Sequence, residues 1–426
     1  MSAGPNRPLV PDPPTREPAA RLFAARTFGA LKHRNYRLFI SGQVISLSGT
    51  WMQRVAQAWL VYELTKSAFA LGVIGFATRA PVIVFSLFAG VLADRVDKRR
   101  ILVTSQVVAM VQAAVLAVLT LTGTVEFWHV ALLGALLGTT QAFDAPTRHS
   151  FFKEMVGSED LMNAIALNST AFNTARLAGP AIAGVLIYTI GLAGCFVVNA
   201  ASYLAVIIAY LLMRFERRTE EQTGSGHWDE LKEGLRYVKD HKTVRTAVYL
   251  ISLASFFTFS YATLLPVFAS RVLEGNAKVY AGLMTAAGAG ALIGGLVVAS
   301  LGNYPRKGLL TSAGIVAFPA MLIGLSFTKA HAFALAFCFL LGIAMILLTA
   351  NMNTLVQTAI SDRFRGRVMS FYVLVFLGPL PFGNLLAGRL AEALGVVTTL
   401  RMGALISLGI SLLLLCRSPR FVRYRA

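Results

Sequence analysis

Residues 90–100, GVLADRVDKRR, leave one long apolar stretch at Gly90, set Asp94 and Asp97 among four bases (Arg95, Lys98, Arg99, Arg100), and re-enter a second at Ile101. So short a charged interruption between two bilayer-length stretches reads as a tight hairpin on one membrane face. Outward from this hairpin the same alternation recurs. The spacing predicts spans at about 36–62, 70–92, 101–122, 127–149, 161–189, 192–213, 246–270, 279–301, 308–328, 331–358, 367–391 and 396–416, since roughly twenty apolar residues carry a helix across the hydrocarbon core. None shows the period-2 alternation of a membrane barrel, so internally hydrogen-bonded helices are the remaining solution. The chain is 56% hydrophobic and 14% charged, with mean hydropathy +0.65, a balance that excludes an ordinary soluble domain.

The expected fold class is therefore an all-α polytopic membrane protein of about twelve transmembrane helices. A formal charge of +19 would suggest nucleic acid in a soluble chain. Here 30 of the 39 lysines and arginines fall in the tails and loops on the side holding both termini, whereas Lys66, Arg271, Lys278, Lys329 and Arg389 fall opposite. The excess of basic residues puts both termini in the cytoplasm, and no nucleic-acid partner is expected. Cys195, Cys338 and Cys416 all lie in expected spans and read as small apolar residues. The histidines show no metal spacing, and the run GAGALIGG at 288–295 lacks the Lys-Ser/Thr of a phosphate loop, so neither metal nor cofactor is expected.

Two halves emerge from the glycines. Gly138, Gly179, Gly184 and Gly191 recur as Gly342, Gly383, Gly388 and Gly395 at one constant offset of 204 residues. This predicts two pseudo-symmetric six-helix bundles, 31–213 and 246–416. They are preceded by a disordered proline-rich cytoplasmic tail (1–30) with no apolar signal segment, and followed by a basic tail (417–426). The hairpin itself is not duplicated, because SLGNYPRKG at 300–308 keeps Arg306 and Lys307 but has no aspartate. The linker, 214–245, contains an amphipathic stretch with Trp228, Leu231, Leu235 and Val238 on one face. It either lies on the cytoplasmic membrane surface or packs on the bundle's cytoplasmic end.

Within the spans, polar residues mark the candidate site. Gln43, Ser46, Thr50, Gln53, Arg54 and Gln57 form a stripe on the first span, which either faces a water-filled cavity or knits helices by hydrogen bonds. Arg54 favours the cavity, because a mid-span guanidinium costs roughly 2.5–3.5 kcal/mol and needs water or a partner. Thr349, Asn353 and Gln357, with Asn351, repeat the pattern on the tenth span. Arg79 and Arg176 also lie near mid-membrane without a local carboxylate, and point either to a substrate rich in negative charge or oxygen, or to bonds with backbone carbonyls. Thr140, Asp144 and Arg148 share a face of the fourth span, which makes Asp144 either a proton carrier or, as the preferred reading, part of a cytoplasmic gate. Gly179, Pro180 and Gly184 supply close packing and a bend on the fifth.

The order Gly90, Leu92, Ala93, Asp94, Arg95, Arg99, Arg100 resembles the loop between the second and third helices of major facilitator superfamily transporters, with Asp97 in place of the usual glycine and Lys98 in place of arginine. The segments LKHRNYRLFISGQ (31–43), WMQRVAQAWLVYELTKSAFALG (51–72), FDAPTRHSFFKEMV (143–156), ARLAGPAIAG (175–184) and RGRVMSFYVLVFLGPLPFG (365–383) resemble the bacterial branch that includes the enterobactin exporter. The Gly-Pro pair of the fifth span is similar to the antiporter motif of that superfamily's drug exporters, without its usual Gly-Gly ending. The resemblance implies a monomeric inner-membrane carrier that exports siderophores, drugs or other small molecules by proton antiport, with the proton motive force as energy source and with lipid, protons and a small-molecule substrate as its partners. A proton-coupled importer is the alternative, and a non-transporting sensor in the same fold a third. The resemblance further implies gate roles for Asp94, at the start of the eleventh helix, and for Arg95 and Lys98, the latter near Asp144.

Overall fold

The computed structural model describes residues 28–214, 227–301 and 304–424, and their side chains apart from 86–95, 227–232 and 363. The expectations for the proline-rich tail, for Trp228 and Leu231, and for the side chains of Gly90, Asp94 and Arg95 lie outside these. A short 3-10 turn, Gly29–Lys32, precedes α1 (Arg34–Thr65), α2 (Ala68–Arg95), α3 (Lys98–Leu121), α4 (Phe127–Val156) and α5 (Leu161–Leu212). The linker helix α6 (His227–Asp240) leads to α7 (Lys242–Phe257), α8 (Tyr261–Arg271), α9 (Ala277–Ser300), α10 (Lys307–Phe327) and α11 (His331–Ala359). The chain ends with α12 (Arg365–Leu377), α13 (Pro379–Leu394), α14 (Val396–Arg417) and the short turn α15 (Pro419–Val422).

Nine segments among the described residues are long and apolar enough to cross a membrane. One of them, α5, has 52 residues, which as a straight helix would measure about 78 Å against roughly 30 Å of hydrocarbon. It folds back at Gly191, where φ is 74°, a left-handed value that a residue without a Cβ adopts freely. Both ends of α5 consequently meet the start of α1. Tyr36 donates to the Ala164 carbonyl at 2.7 Å, and Arg34 to that of Leu212 at 3.1 Å. With α5 counted twice, and with α1 and α4, whose polar stripes keep them out of the nine, the described residues make twelve crossings.

Two expected spans are interrupted. The seventh divides between α7 and α8. The eleventh divides between α12 and α13, where Pro379 and Pro381 bring no N–H to bond the carbonyls a turn earlier.

The repeated glycines occupy matching contacts in the two halves. Gly138 lies against the Thr78 carbonyl, where α4 meets α2, and Gly342 against the Ala287 carbonyl, where α11 meets α9. Gly179 abuts Trp51 on α1, and Gly383 the Phe256 carbonyl on α7. Gly184 faces Ala281 across the boundary between the halves, and Gly388 faces Gly72 across the same boundary. Gly191 and Gly395 carry the paired left-handed turns, at φ 74° and 84°. A side chain at the packing positions would push two backbones apart.

Twelve crossings leave both chain ends on one face, here termed the terminal face. Contacts between the halves gather toward the other. Arg271 donates to the Lys66 carbonyl at 2.5 Å, and Trp59 stacks on Tyr280 at 6.2 Å. The Glu392 carboxylate on α13 accepts from the Ala68 amide at 2.7 Å, the Ser67 hydroxyl at 3.2 Å and the Phe69 amide at 3.4 Å. It thus caps the otherwise unpaired N-terminus of α2 from the opposite half. Closer to mid-membrane the boundary runs through Gly75 against Asn384, Phe76 edge-on to Phe382, and Gly288 against the Arg176 carbonyl. The halves are thus sealed on the far face.

The linker helix packs on the second half. Gly234 lies 2.7 Å, by its missing Cβ, from the Arg367 carbonyl, Glu233 pairs with Arg367, and Tyr237 stacks between His241 and Phe364. Of the two placements the sequence left open, this is packing on the bundle end.

Candidate functional site

Trp51 is the centre from which the site is best built. Arg54, one turn along α1, sets its guanidinium 4.6 Å from the indole centroid. From α5, Arg176 approaches the same ring at 5.8 Å, and Phe172, one turn earlier, meets it edge-on at 5.6 Å. The approach requires Gly179, because a Cβ there would strike the Trp51 side chain and crowd the Met52 amide and Ser48 carbonyl. A guanidinium over an indole face gains about 0.5–2 kcal/mol, which orients the group but leaves its charge unneutralised.

Arg176 also donates to the Met345 sulfur at 3.0 Å, and so reaches the second half. Arg79, exposed on α2, lies within electrostatic reach of Arg54, as does Arg176. Among the described residues none of the three has a carboxylate partner. Two cations therefore share one aromatic ring at the boundary of the halves, and Arg79 on a third helix acts on the first of them.

From Met345 the α11 stripe continues every fourth residue through Thr349, Asn353 and Gln357. Thr349 donates to the Met345 carbonyl at 2.8 Å, and the exposed Asn353 accepts from Gln357 at 3.2 Å. Because Met345 marks the face turned to α5, this stripe carries the boundary from the arginines toward the terminal face. Asn351 turns away, buried and bonded to the Leu347 carbonyl at 2.9 Å.

The stripe on α1 divides. Gln53 is 1% exposed and spends its whole amide inside the first half, donating to Gln112 on α3 at 3.0 Å and accepting from Asn199 on α5 at 2.6 Å. It braces three helices, whereas its neighbour Arg54 points to the boundary. Gln57 is buried beside Thr78 at the space left by Gly134, and Thr50 shares a hydrogen bond with the Tyr203 hydroxyl at 3.2 Å.

At the terminal end of the first half, Asp144 is buried and accepts from Gln106 at 2.8 Å, with Arg148 at 3.3 Å. Among the described residues Gln106 Oε1, Arg148 Nε and the Tyr210 hydroxyl are buried there without a hydrogen-bond partner. Lys98, which the resemblance sets near Asp144, instead pairs with Glu154 at 2.6 Å. Glu154 stands at the membrane-surface end of α4, level with the start of α3, while Asp144 is roughly 15 Å deeper along the same helix. Asp97 accepts from the amides of Arg99 at 2.8 Å and Arg100 at 3.3 Å, and thereby caps α3. Arg367, at the start of α12, is engaged by Glu233. Pro180 and Gly184 lie on α5 between the arginine cluster and the far face.

Outside the spans, Asp160 holds the entry of the chain to the start of α5. Lys32 and His33 reach its Oδ2 at 2.7 and 2.8 Å, and the Ala30 amide donates to Asn163 at 2.8 Å. The Lys32 ammonium, followed by the His33 ring, holds the Asp160 carboxyl below its ordinary range, and the same bond raises Lys32.

The sequence reading missed Trp51, Met345, Gln106 and Glu392. None of the four carried a signal of its own, each being an ordinary residue type at its position.

The family described as transmembrane secretion effector matches residues 25–423. The chain is 27% identical over 367 residues to the staphyloferrin A transporter of Staphylococcus aureus, covering 85% of this chain and 91% of that one. It is 27% identical over 369 residues to the multidrug efflux pump Tap of Mycolicibacterium fortuitum, covering 83% and 88%. A solved POT family transporter in complex with a thioalcohol-conjugated peptide superimposes with a TM-score of 0.72 at 12% identity, over 91% of this chain and 96% of that one.

Proposed function

The chain belongs to the transmembrane secretion effector family of major facilitator transporters, and from that premise we propose that it exports an anionic, oxygen-rich small molecule by proton antiport. It is a secondary transporter and a multi-pass membrane protein. One observation carries the substrate class: Arg54, Arg79 and Arg176 gather at the boundary of the halves with no carboxylate partner among the described residues. Three bare cations in a span are costly unless water or an anion compensates them, and a ligand bearing several carboxylates or related groups supplies that compensation. Trp51 offers the same ligand a flat apolar face. The relative named as a multidrug efflux pump supports outward transport.

On the orientation that the basic loops favour, the far face is periplasmic and the arginines are reached from the cytoplasm, where an exporter collects its substrate. Rocking of the halves about the arginines would then present the ligand outside. In this reading Asp144, together with Asp94, Arg95, Lys98 and Arg148, belongs to the gate on the cytoplasmic side. The Asp144→Asn variant is expected to lower driven and downhill flux together. Loss of driven accumulation with downhill exchange intact would instead make Asp144 the proton carrier.

The test of the function compares spent medium and cell extracts of deletion and wild-type cells by metabolomics. An anionic metabolite that accumulates inside the deletion strain and disappears from its medium is then offered to inverted vesicles with an imposed proton gradient. Accumulation of a cationic or neutral compound instead, or depletion inside the deletion strain, would overturn the assignment.

A further inference from the structure

A cavity of about 280 Å³ opens at the terminal end of the second half, away from Trp51 and its arginines. It is lined by Lys242, Thr243, Thr246, Arg417, Ser418, Pro419, Arg420 and Phe421. Three bases and three hydroxyl residues face it, and among the described residues no acidic one does.

Its location fixes the chemistry further. Lys242 opens α7 and Arg417 closes α14, so the cavity lies where two spans leave the membrane. A hydrogen bond of 3.0 Å between the Thr246 and Ser418 hydroxyls joins these two ends at the cavity wall. On α7, Lys242, Thr246 and Tyr249 follow one another on a single face. On α14, Arg417, Leu413 and Ile410 do the same. Tyr249, Leu413 and Ile410 are all exposed, so the charged cavity continues into an apolar strip turned outward along both helices. The turn α15 forms its floor through Phe421, which is fully buried and whose carbonyl abuts Gly308 at the start of α10.

A ligand matching this surface has one negatively charged, oxygen-rich group and a pair of long apolar chains attached to it. We propose that the cavity binds the phosphodiester headgroup of an anionic phospholipid of the leaflet on the terminal face, with the acyl chains along Leu413, Ile410 and Tyr249. Basic pockets between spans at the headgroup level are suited to such lipids, and each base adds to the attraction. Thr243 adds a hydrogen-bond donor. Thr246, which donates to the Lys242 carbonyl at 2.9 Å, and Ser418 fix the wall, and Lys242, Arg417 and Arg420 neutralise the phosphate. A bound lipid would tie α7, α14 and the turn on α10 into one block, which the second half needs if it is to move as a rigid body. This site is independent of the substrate reading above.

The test uses the purified full chain. Native mass spectrometry follows retention of phosphatidylglycerol against phosphatidylethanolamine, and thermal melting is measured in detergent with each lipid and with inorganic phosphate. The expected result is selective retention and stabilisation by phosphatidylglycerol. Both should be weakened at least about tenfold in the Lys242→Gln, Arg417→Gln, Arg420→Gln triple variant. A control that changes exposed bases outside the cavity, Arg100→Gln, Arg236→Gln, Lys239→Gln, should retain both. Monodisperse elution and unchanged helical circular dichroism establish that each variant is folded. Should the triple variant not fold, Thr243→Glu alone, which puts a carboxylate into the cavity, is expected to give the same loss. Equal loss in the control, equal retention of the two lipids, or stabilisation by inorganic phosphate equal to that by phosphatidylglycerol would each overturn the lipid assignment, the last in favour of a free phosphate ligand.

Discussion

Arg54 and Arg176 share one indole, and each is left with its charge to offer to something outside the chain. Replacing either by glutamine removes the charge while leaving a polar side chain, and loses one charge-assisted bond, worth about 1.5–3 kcal/mol. The expected outcome is a rise in KM for export of roughly tenfold to a hundredfold, with insertion unaffected, read from initial rates in inverted vesicles. Arg54 was legible in the sequence because a cation within a span demands a reason. Trp51 was not, since an aromatic residue in an apolar helix is ordinary until Gly179 brings a second arginine to its other side. Nor does the sequence separate Gln53 from Arg54. They are neighbours in the chain but point about 100° apart on the helix, one into a brace and one into the boundary. A second prediction concerns Asp160, whose depressed carboxyl contributes stability that is present above its ordinary value of 3.8 and is lost as pH falls through the lower folded value. The partner Lys32, raised from 10.5, contributes below that value and loses its contribution as pH rises through the higher folded one. Hydrogen exchange at the start of α5 is therefore expected to be slow between these limits and to quicken outside them, while Asp160→Asn should exchange fast throughout.

At the level of elements, the glycines that repeat at an offset of 204 residues exposed the duplication before any coordinates, because close helix approach permits little else at those positions. The broken eleventh span was less apparent. Pro379 and Pro381 were present in the sequence, yet a proline in a membrane helix is as compatible with a bend as with a new helix. The cap that Glu392 places on α2 could not be read at all, since its partners lie more than three hundred residues away and neither has an unusual type. That cap joins the two halves only while the far face is closed. Glu392→Ala should therefore shift the population toward the far-open state, by roughly fivefold to thirtyfold for a loss of about 1–2 kcal/mol. Spin labels on the far ends of α2 and α13 would report it as a longer mean separation. An unchanged distance distribution would assign Glu392 a purely local role.

Across the molecule, the two halves meet at the far face and are bridged near mid-membrane by Arg176 and Met345. The class of fold and the number of crossings followed from hydropathy alone. The closed and open faces did not, because a rocking carrier has one sequence and more than one arrangement, and periodicity is blind to which of them is populated. One feature of that arrangement has an electrical side. Arg54, Arg79 and Arg176 hold three positive charges inside the membrane field, so reorientation of the substrate-free carrier displaces uncompensated charge, at about 2.3 kcal/mol per charge carried through each 100 mV. A bound trianion cancels it. The substrate-loaded step should then be indifferent to voltage while the substrate-free return, which carries the protons, is not, and transient currents on a supported membrane should appear without substrate and vanish at saturation. Membrane potential would then set the turnover through the half of the cycle that brings protons in.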